Sequence, residues 1–160
     1  MKQKPTEKTN VMRLLDQAQI PYKEHCYADT DAVSGLEVAQ VLGQEPDRVF
    51  KTLVTVGYRG DHYVFVVPST GSLNLKKAAA AVGEKSIEMI KQKDLLPLTG
   101  YIHGGCSPIG MKKFFTTVVD ETAILFDTIC ISAGKVGYQV EINPDDLSRA
   151  IDLEFKDITD

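Results

Sequence analysis

Apolar residues recur at Val11, Leu14, Leu15 and Ala18, a spacing of i, i+3, i+4 and i+7 that lays them along one side of a helix. Pro21 closes the pattern, so an amphipathic helix is predicted to run to about Gln19. A short strand is expected over Tyr22 to Tyr27. Ser34-Gly35-Leu36-Glu37 has the spacing of a capping box, in which the Ser hydroxyl accepts an orphan N–H and the Glu reaches back to the cap. Gly43 supplies the left-handed stop for that helix.

Val49 to Val56 is rich in β-branched residues and Tyr63 to Val67 is apolar and aromatic. Tyr58-Arg59-Gly60-Asp61 between them carries turn chemistry, so the two read as a hairpin. Leu75 to Val82 is alanine-rich and predicts a helix, with Asn74 as cap and Gly83 as stop. Short apolar segments follow around Ile87, Tyr101, Phe115 to Val119 and Thr128 to Ile131. Tyr138 to Ile142 reads as a further strand. Asn143-Pro144 then opens a last helix, Asn at the cap and Pro where its missing N–H costs little. Helices interspersed among many short strands predict an α+β fold, a mixed and partly barrel-like sheet with surrounding helices. No repeat or linker divides the chain, so residues 1–160 are expected to form one domain.

Composition narrows the function classes. The 160 residues carry a net charge of -4, with a sequence pI of about 5.4, which argues against coating nucleic acid by bulk charge. No apolar run approaches the roughly 18 residues of a membrane span, and the N-terminal MKQKPTEKTN lacks a signal's apolar stretch. A cytoplasmic protein is expected. Cys26, Cys106 and Cys130 are odd in number and widely spaced, which suggests neither a disulfide framework nor a zinc site, and they read as small apolar fillers.

Three features carry candidate chemistry. Strand alternation puts Lys51 on the same face as Val49 and Leu53, where it is either a solvated edge lysine or a cleft cation able to hold a carbonyl, carboxylate or phosphate oxygen. Gly100 to Gly110 sets glycines around Ser107-Pro108, so bare N–H groups can face an anion or oxyanion; a purely structural loop is the competing reading. Ser132-Ala133-Gly134-Lys135-Val136-Gly137 is a second small-residue turn, either a wall of the same cleft or a plain hairpin. His25, His62 and His103 are scattered without metal-ligand spacing, so no metal is predicted. Cys106 and Ser107 lie too close to His103 in sequence, with no orienting third group, to suggest a triad.

The stretches Val49-Phe50-Lys51-Thr52-Leu53, Leu73-Asn74-Leu75-Lys76-Lys77-Ala78-Ala79, Gly100-Tyr101 through Gly104-Gly105-Cys106-Ser107-Pro108-Ile109-Gly110 with Lys112-Lys113, and Ser132-Ala133-Gly134-Lys135 together resemble the YbaK/EbsC family of aminoacyl-tRNA deacylases, in order and spacing, from about Val11 to Asp157. The resemblance implies a freestanding editing enzyme related to the insertion domain of bacterial prolyl-tRNA synthetase, which hydrolyses mischarged tRNA, characteristically Cys-tRNA(Pro), without metal or organic cofactor. It places the family's essential lysine at Lys51 and the following threonine at Thr52. The pocket glycine falls at Gly104, the turn serine at Ser132 and the closing aromatic at Tyr27. Gly105, Ser107 and Gly134 belong to the same two turns and are counted with the substrate pocket. Ser34 stands where cysteine-specific members commonly have phenylalanine, and Gln139 where they have aspartate, which bears on the amino acid preferred.

In the mechanism that the resemblance implies, the substrate's own thiol attacks its ester. Lys51 and glycine-loop N–H groups then need only position the acyl group and stabilise the oxyanion. Lys76, Lys77, Lys112, Lys113 and Lys135 are expected around the cleft mouth, meeting phosphates of the tRNA acceptor end, with prolyl-tRNA synthetase as partner. Two alternatives stand beside this: a deacylase for Ala or Ser esters that uses water, and a non-catalytic tRNA- or nucleotide-binding module.

Overall fold

A computed structural model describes residues 8–160; most of the polar N-terminal stretch, residues 1–7, lies outside the described residues. Helix α1 (Asn10–Gln17) is capped by Thr9, whose side chain accepts from the Met12 N–H, and it buries Val11, Met12 and Leu15. Strand β1 (Lys23–Cys26) is followed by α2 (Gly35–Leu42), which begins in the expected capping box of Ser34 and Glu37 and stops at Gly43 in the left-handed region.

A 3₁₀ turn, Pro46–Arg48, leads into the hairpin of β2 (Phe50–Gly57) and β3 (His62–Pro68). Gly60 takes a φ of +96° in the turn, a conformation that glycine adopts without steric cost. Then come α3 (Leu75–Val82), β4 (Ile87–Met89) and α4 (Gln92–Thr99). Strand β5 (Thr116–Asp120) and a second 3₁₀ turn precede β6 (Ile129–Ser132), β7 (Tyr138–Ile142), α5 (Pro144–Ala150) and β8 (Glu154–Lys156).

The strands form two sheets, ordered β4-β2-β3-β5-β8 and β1-β7-β6. The larger is mixed: β3 pairs antiparallel with β2 but parallel with β5, which pairs parallel with β8. The smaller is wholly antiparallel. One parallel bridge, Val49 to Cys130, joins the two, and neither sheet closes into a barrel. Val64 to Val67 of the central strand are completely buried, at roughly 1.5–3 kcal/mol for each such side chain. Val64 and Val66 join the main core with α1, β6 and β7, while Phe65 and Val67 pack against Ala78 and Ala79 of α3.

Three stretches depart from the pattern read along the chain. Helix α4 has no side-chain cap and contains Pro97, so it lacks an entry signal and carries an interior residue that opposes helix. Tyr101 forms no strand: it follows the left-handed Gly100 and its ring is buried in the core. Strand β8 has only three residues and pairs parallel with β5; such a run shows no period of its own.

Candidate functional site

The site begins with an unfinished edge. Strand β4 pairs only with Thr55, Val56 and Gly57, and the Ile90 N–H reaches the Val54 carbonyl at 3.3 Å. Before that point β2 has, among the described residues, no ladder partner on this side except the bridge at Val49. Alternation puts the Thr52 backbone amide on the same open edge as the Val54 carbonyl. A cavity of about 260 Å³ wraps around this edge and is lined by Phe50, Lys51, Thr52 and Leu53.

Each wall comes from a feature visible in the sequence. The start of α2 brings Val33, Ser34 and Gly35 to the cavity. The Glu37 carboxylate fixes their backbone by accepting the N–H groups of Val33 and Ser34 at 3.0 and 3.1 Å, while the Ser34 hydroxyl accepts the Glu37 N–H. Those bonds hold the Glu37 carboxyl below its ordinary range. Opposite stand His103, Gly104 and Cys106 of the glycine loop, and Leu95 of α4. The back is formed by Ile131 and Ser132 of β6, Gln139 of β7, and Tyr27. The Tyr27 ring is 4% exposed and its N–H donates to Gly137 at 2.7 Å; burial pushes its phenol up from the usual value.

Lys51 is therefore a cleft cation, and Val49 and Leu53 line the same cavity. Among the described residues it is the only Lys or Arg that lines it. Beside it the Thr52 Oγ1 is buried without a hydrogen-bond partner, a state that usually marks a group awaiting a ligand or water. Gln139 is 3% exposed and its amide is tied to Gln44, which donates at 2.7 Å and accepts at 3.2 Å.

The two small-residue turns pack against each other. Gly104 has a φ of +88°, and a Cβ there would lie 3.0 Å from Val33 Cγ1 and 3.5 Å from Val136 Cγ2. A Cβ on Gly105 would lie 2.9 Å from the Val136 backbone nitrogen. Gly134 approaches the Tyr101 ring, and the Ser132 hydroxyl accepts its N–H at 3.1 Å.

Gly105, Ser107 and Gly134 do not line the cavity; they shape its walls from behind. Ser107 is fully buried and its Oγ accepts the Ile109 N–H at 3.2 Å, so it holds the turn. The Cys106 thiol lines the cavity, but burial pushes it up to about 12, and a protonated thiol is a poor nucleophile.

None of the five other lysines singled out lines the cavity. Lys76 and Lys77 open α3, where Lys77 binds Asp157 at 2.9 Å and the Thr159 carbonyl at 2.8 Å. Lys112 reaches the Pro97 carbonyl at 3.4 Å. Lys113 borders a shallow hollow with Phe114 and Phe115, and the Lys135 ammonium sits 5.4 Å from the centre of the Tyr138 ring. Among the described residues, no group of three or more His, Cys, Asp or Glu is placed to hold a metal ion, and no helix is long and apolar enough to cross a membrane.

Val33, Gly35, Leu95 and Gln44 were not singled out from the sequence. The capping box pointed to Val33 and Gly35 by adjacency. Leu95 and Gln44 carried no signal, since one lies on a helix broken by proline and the other in a loop.

The profile of the aminoacyl-tRNA editing domain matches residues 30–150. A protein of Enterococcus faecalis, provisionally named Cys-tRNA(Pro)/Cys-tRNA(Cys) deacylase EbsC, is 47% identical over 159 residues, 99% of this chain and 97% of its own length. The proline–tRNA ligase of Pelobacter propionicus is 31% identical over 93 residues, 58% of this chain but only 16% of that enzyme. A solved structure, provisionally described as a trans-editing enzyme for prolyl tRNA synthetase, superimposes with a TM-score of 0.81 at 24% identity, over 95% of this chain and 98% of its own, and shares the fold.

Proposed function

Because the chain belongs to the aminoacyl-tRNA editing domain family, we propose that residues 1–160 work as one freestanding deacylase that clears mischarged tRNA, Cys-tRNA(Pro) first, in the cytoplasm. The observation that carries this reading is Lys51 beside the unpartnered Thr52 hydroxyl, on an unpaired strand edge that borders a cavity. These are groups for holding and polarising an ester, and the cavity's only thiol is held protonated.

The chemistry then belongs to the substrate. The cysteinyl sulfur attacks its own ester carbonyl, the S–C bond forms, and the C–O bond to the ribose breaks. The thiol proton passes to the departing ribose oxygen, and water opens the resulting thiolactone to free cysteine. Lys51 and backbone N–H groups of the Gly104 loop and the β2 edge stabilise the oxyanion, while Tyr27 keeps bulk water out. Removing one oxyanion donor costs about 10²- to 10³-fold in rate. Lys76, Lys77, Lys112, Lys113 and Lys135 take phosphates of the acceptor end, which predicts marked salt sensitivity. Prolyl-tRNA synthetase is the partner that hands over the tRNA.

The test is release of labelled amino acid from Cys-, Ala- and Ser-charged tRNA(Pro), wild type beside Lys51→Ala. Lys51-dependent release of cysteine alone is expected. Release of alanine or serine would move the preference toward water-driven hydrolysis in a pocket relaxed at Ser34, and retention of tRNA without turnover would leave a binding module.

A further inference from the structure

The cavity is charged on one side only. Among the described residues Lys51 is its cation, no Asp or Glu lines it, and its other titratable groups are His103, Cys106 and Tyr27. Two carboxylates lie near without entering. Glu37 on α2 is engaged by the Val33 and Ser34 N–H groups. Glu141, two residues beyond Gln139 on β7, accepts from Thr128 at 2.6 Å, pairs with His25 at 2.8 Å and lies 3.9 Å from Arg48. His25, the cross-strand neighbour of Gln139, is thus turned toward Glu141.

What β7 presents to the cavity is a carboxamide. A Gln side chain has two donor hydrogens and two acceptor lone pairs. The reciprocal pair with Gln44 uses one of each on Gln139, leaving one N–H and one carbonyl lone pair.

Resting on the deacylase reading, we propose that this cavity takes the α-amine of its aminoacyl ester in the unprotonated form, with the Gln139 carboxamide receiving it and Gln44 as the positioning residue. An α-ammonium beside Lys51 would set two like charges together with no counter-charge, an arrangement that low-dielectric surroundings make costly. A neutral amine accepts from the free N–H of Gln139 and donates to its free carbonyl lone pair.

The probe is the seryl amide of 3′-amino-3′-deoxyadenosine, close in size to the cysteinyl ester but without a titrating thiol, compared with its des-amino counterpart. An α-amine titrates at about 7.7–8.0, and only the competent fraction binds. Wild type should therefore hold the seryl amide about 40- to 80-fold more tightly at about pH 8.5 than at about pH 6. The des-amino compound should bind equally at both, which separates the substrate amine from His103.

Gln139→Glu supplies the missing counter-charge and should abolish most of the preference. Gln44→Ala should weaken the seryl amide at the higher pH and leave the des-amino compound unchanged. Equal affinity for the seryl amide at both pH values, a parallel pH dependence for the des-amino compound, or no binding of either overturns the inference. Loss of deacylation with pH-dependent binding retained would overturn the proposed function instead, and not this inference.

Discussion

Alanine placed at three glycines separates backbone strain from steric blockage. Gly43 has a φ of +68° and nothing within 4 Å of the position a Cβ would take. Gly43→Ala therefore costs only the left-handed backbone, roughly 1–2 kcal/mol, less about 0.4–1 kcal/mol returned by a stiffer unfolded chain. Gly104, at +88°, meets the half-exposed and movable Val33 at 3.0 Å, so Gly104→Ala should cost about 2 kcal/mol. Gly105 has no left-handed φ, yet its Cβ would meet backbone atoms at 2.9 and 3.2 Å. Neither atom can move without shifting the Lys135 turn, so Gly105→Ala should cost about 3 kcal/mol. For a chain of this length 1 kcal/mol moves Tm by about 2–4 °C, which thermal unfolding resolves. Deacylation should be unchanged in Gly43→Ala and fall by about 10²-fold in Gly104→Ala, whose methyl would press on the cavity-lining Val33 and shift the loop proposed to donate to the oxyanion. A Gly105→Ala variant as stable as Gly43→Ala, or a fully active Gly104→Ala, would refute this reasoning.

Further outcomes follow from burial and hydrogen bonding. Burial holds the thiols of Cys106 and Cys130 up to about 12, so the unfolded chain loses these protons first. Stability should be full below about pH 9 and fall as pH rises above it; urea midpoints from about pH 8 to 10 should show a slope that Cys106→Ala with Cys130→Ala flattens. The Thr128 hydroxyl and His25 hold the Glu141 carboxyl below its ordinary value. Its contribution is present above about pH 4.5 and lost as pH falls through the depressed value; Glu141→Gln should cost about 1–2 kcal/mol at neutral pH and shallow the acid limb of a pH–stability curve. Ser34→Ala removes the cap of α2 and should cost about 1 kcal/mol, read as a drop in urea midpoint that Ser34→Asp restores.

Elements announced by local chemistry were legible in the sequence. The α2 capping box, the Asn74 to Gly83 helix and the Asn143-Pro144 start each depend on residues a few positions apart, and all form as expected. Helix α4 and strand β8 were not legible because tertiary packing, not propensity, holds them. The cavity was legible in part. Lys51 stood out as a cation inside an apolar run, and the two glycine turns as bare backbone. That the turns face each other, so that Gly105 and Gly134 pack while Gly104 lines the cavity, depends on long-range approach. The Gln44 to Gln139 pair spans 95 residues, beyond any periodic signal.

Val49 and Cys130 form the backbone bridge between two sheets that otherwise meet through the shared core of Val64, Val66, Ile131 and Val140, and Val49 itself lines the cavity. Ala39 and Cys130 pack against Val49 there with no surface exposed, and neither lines the cavity. A bulkier or smaller side chain at either place would press on or loosen Val49, and so act as a shim behind the cavity wall. The shape of the cavity is thereby open to adjustment from positions that do not line it, leaving Lys51 and Thr52 untouched.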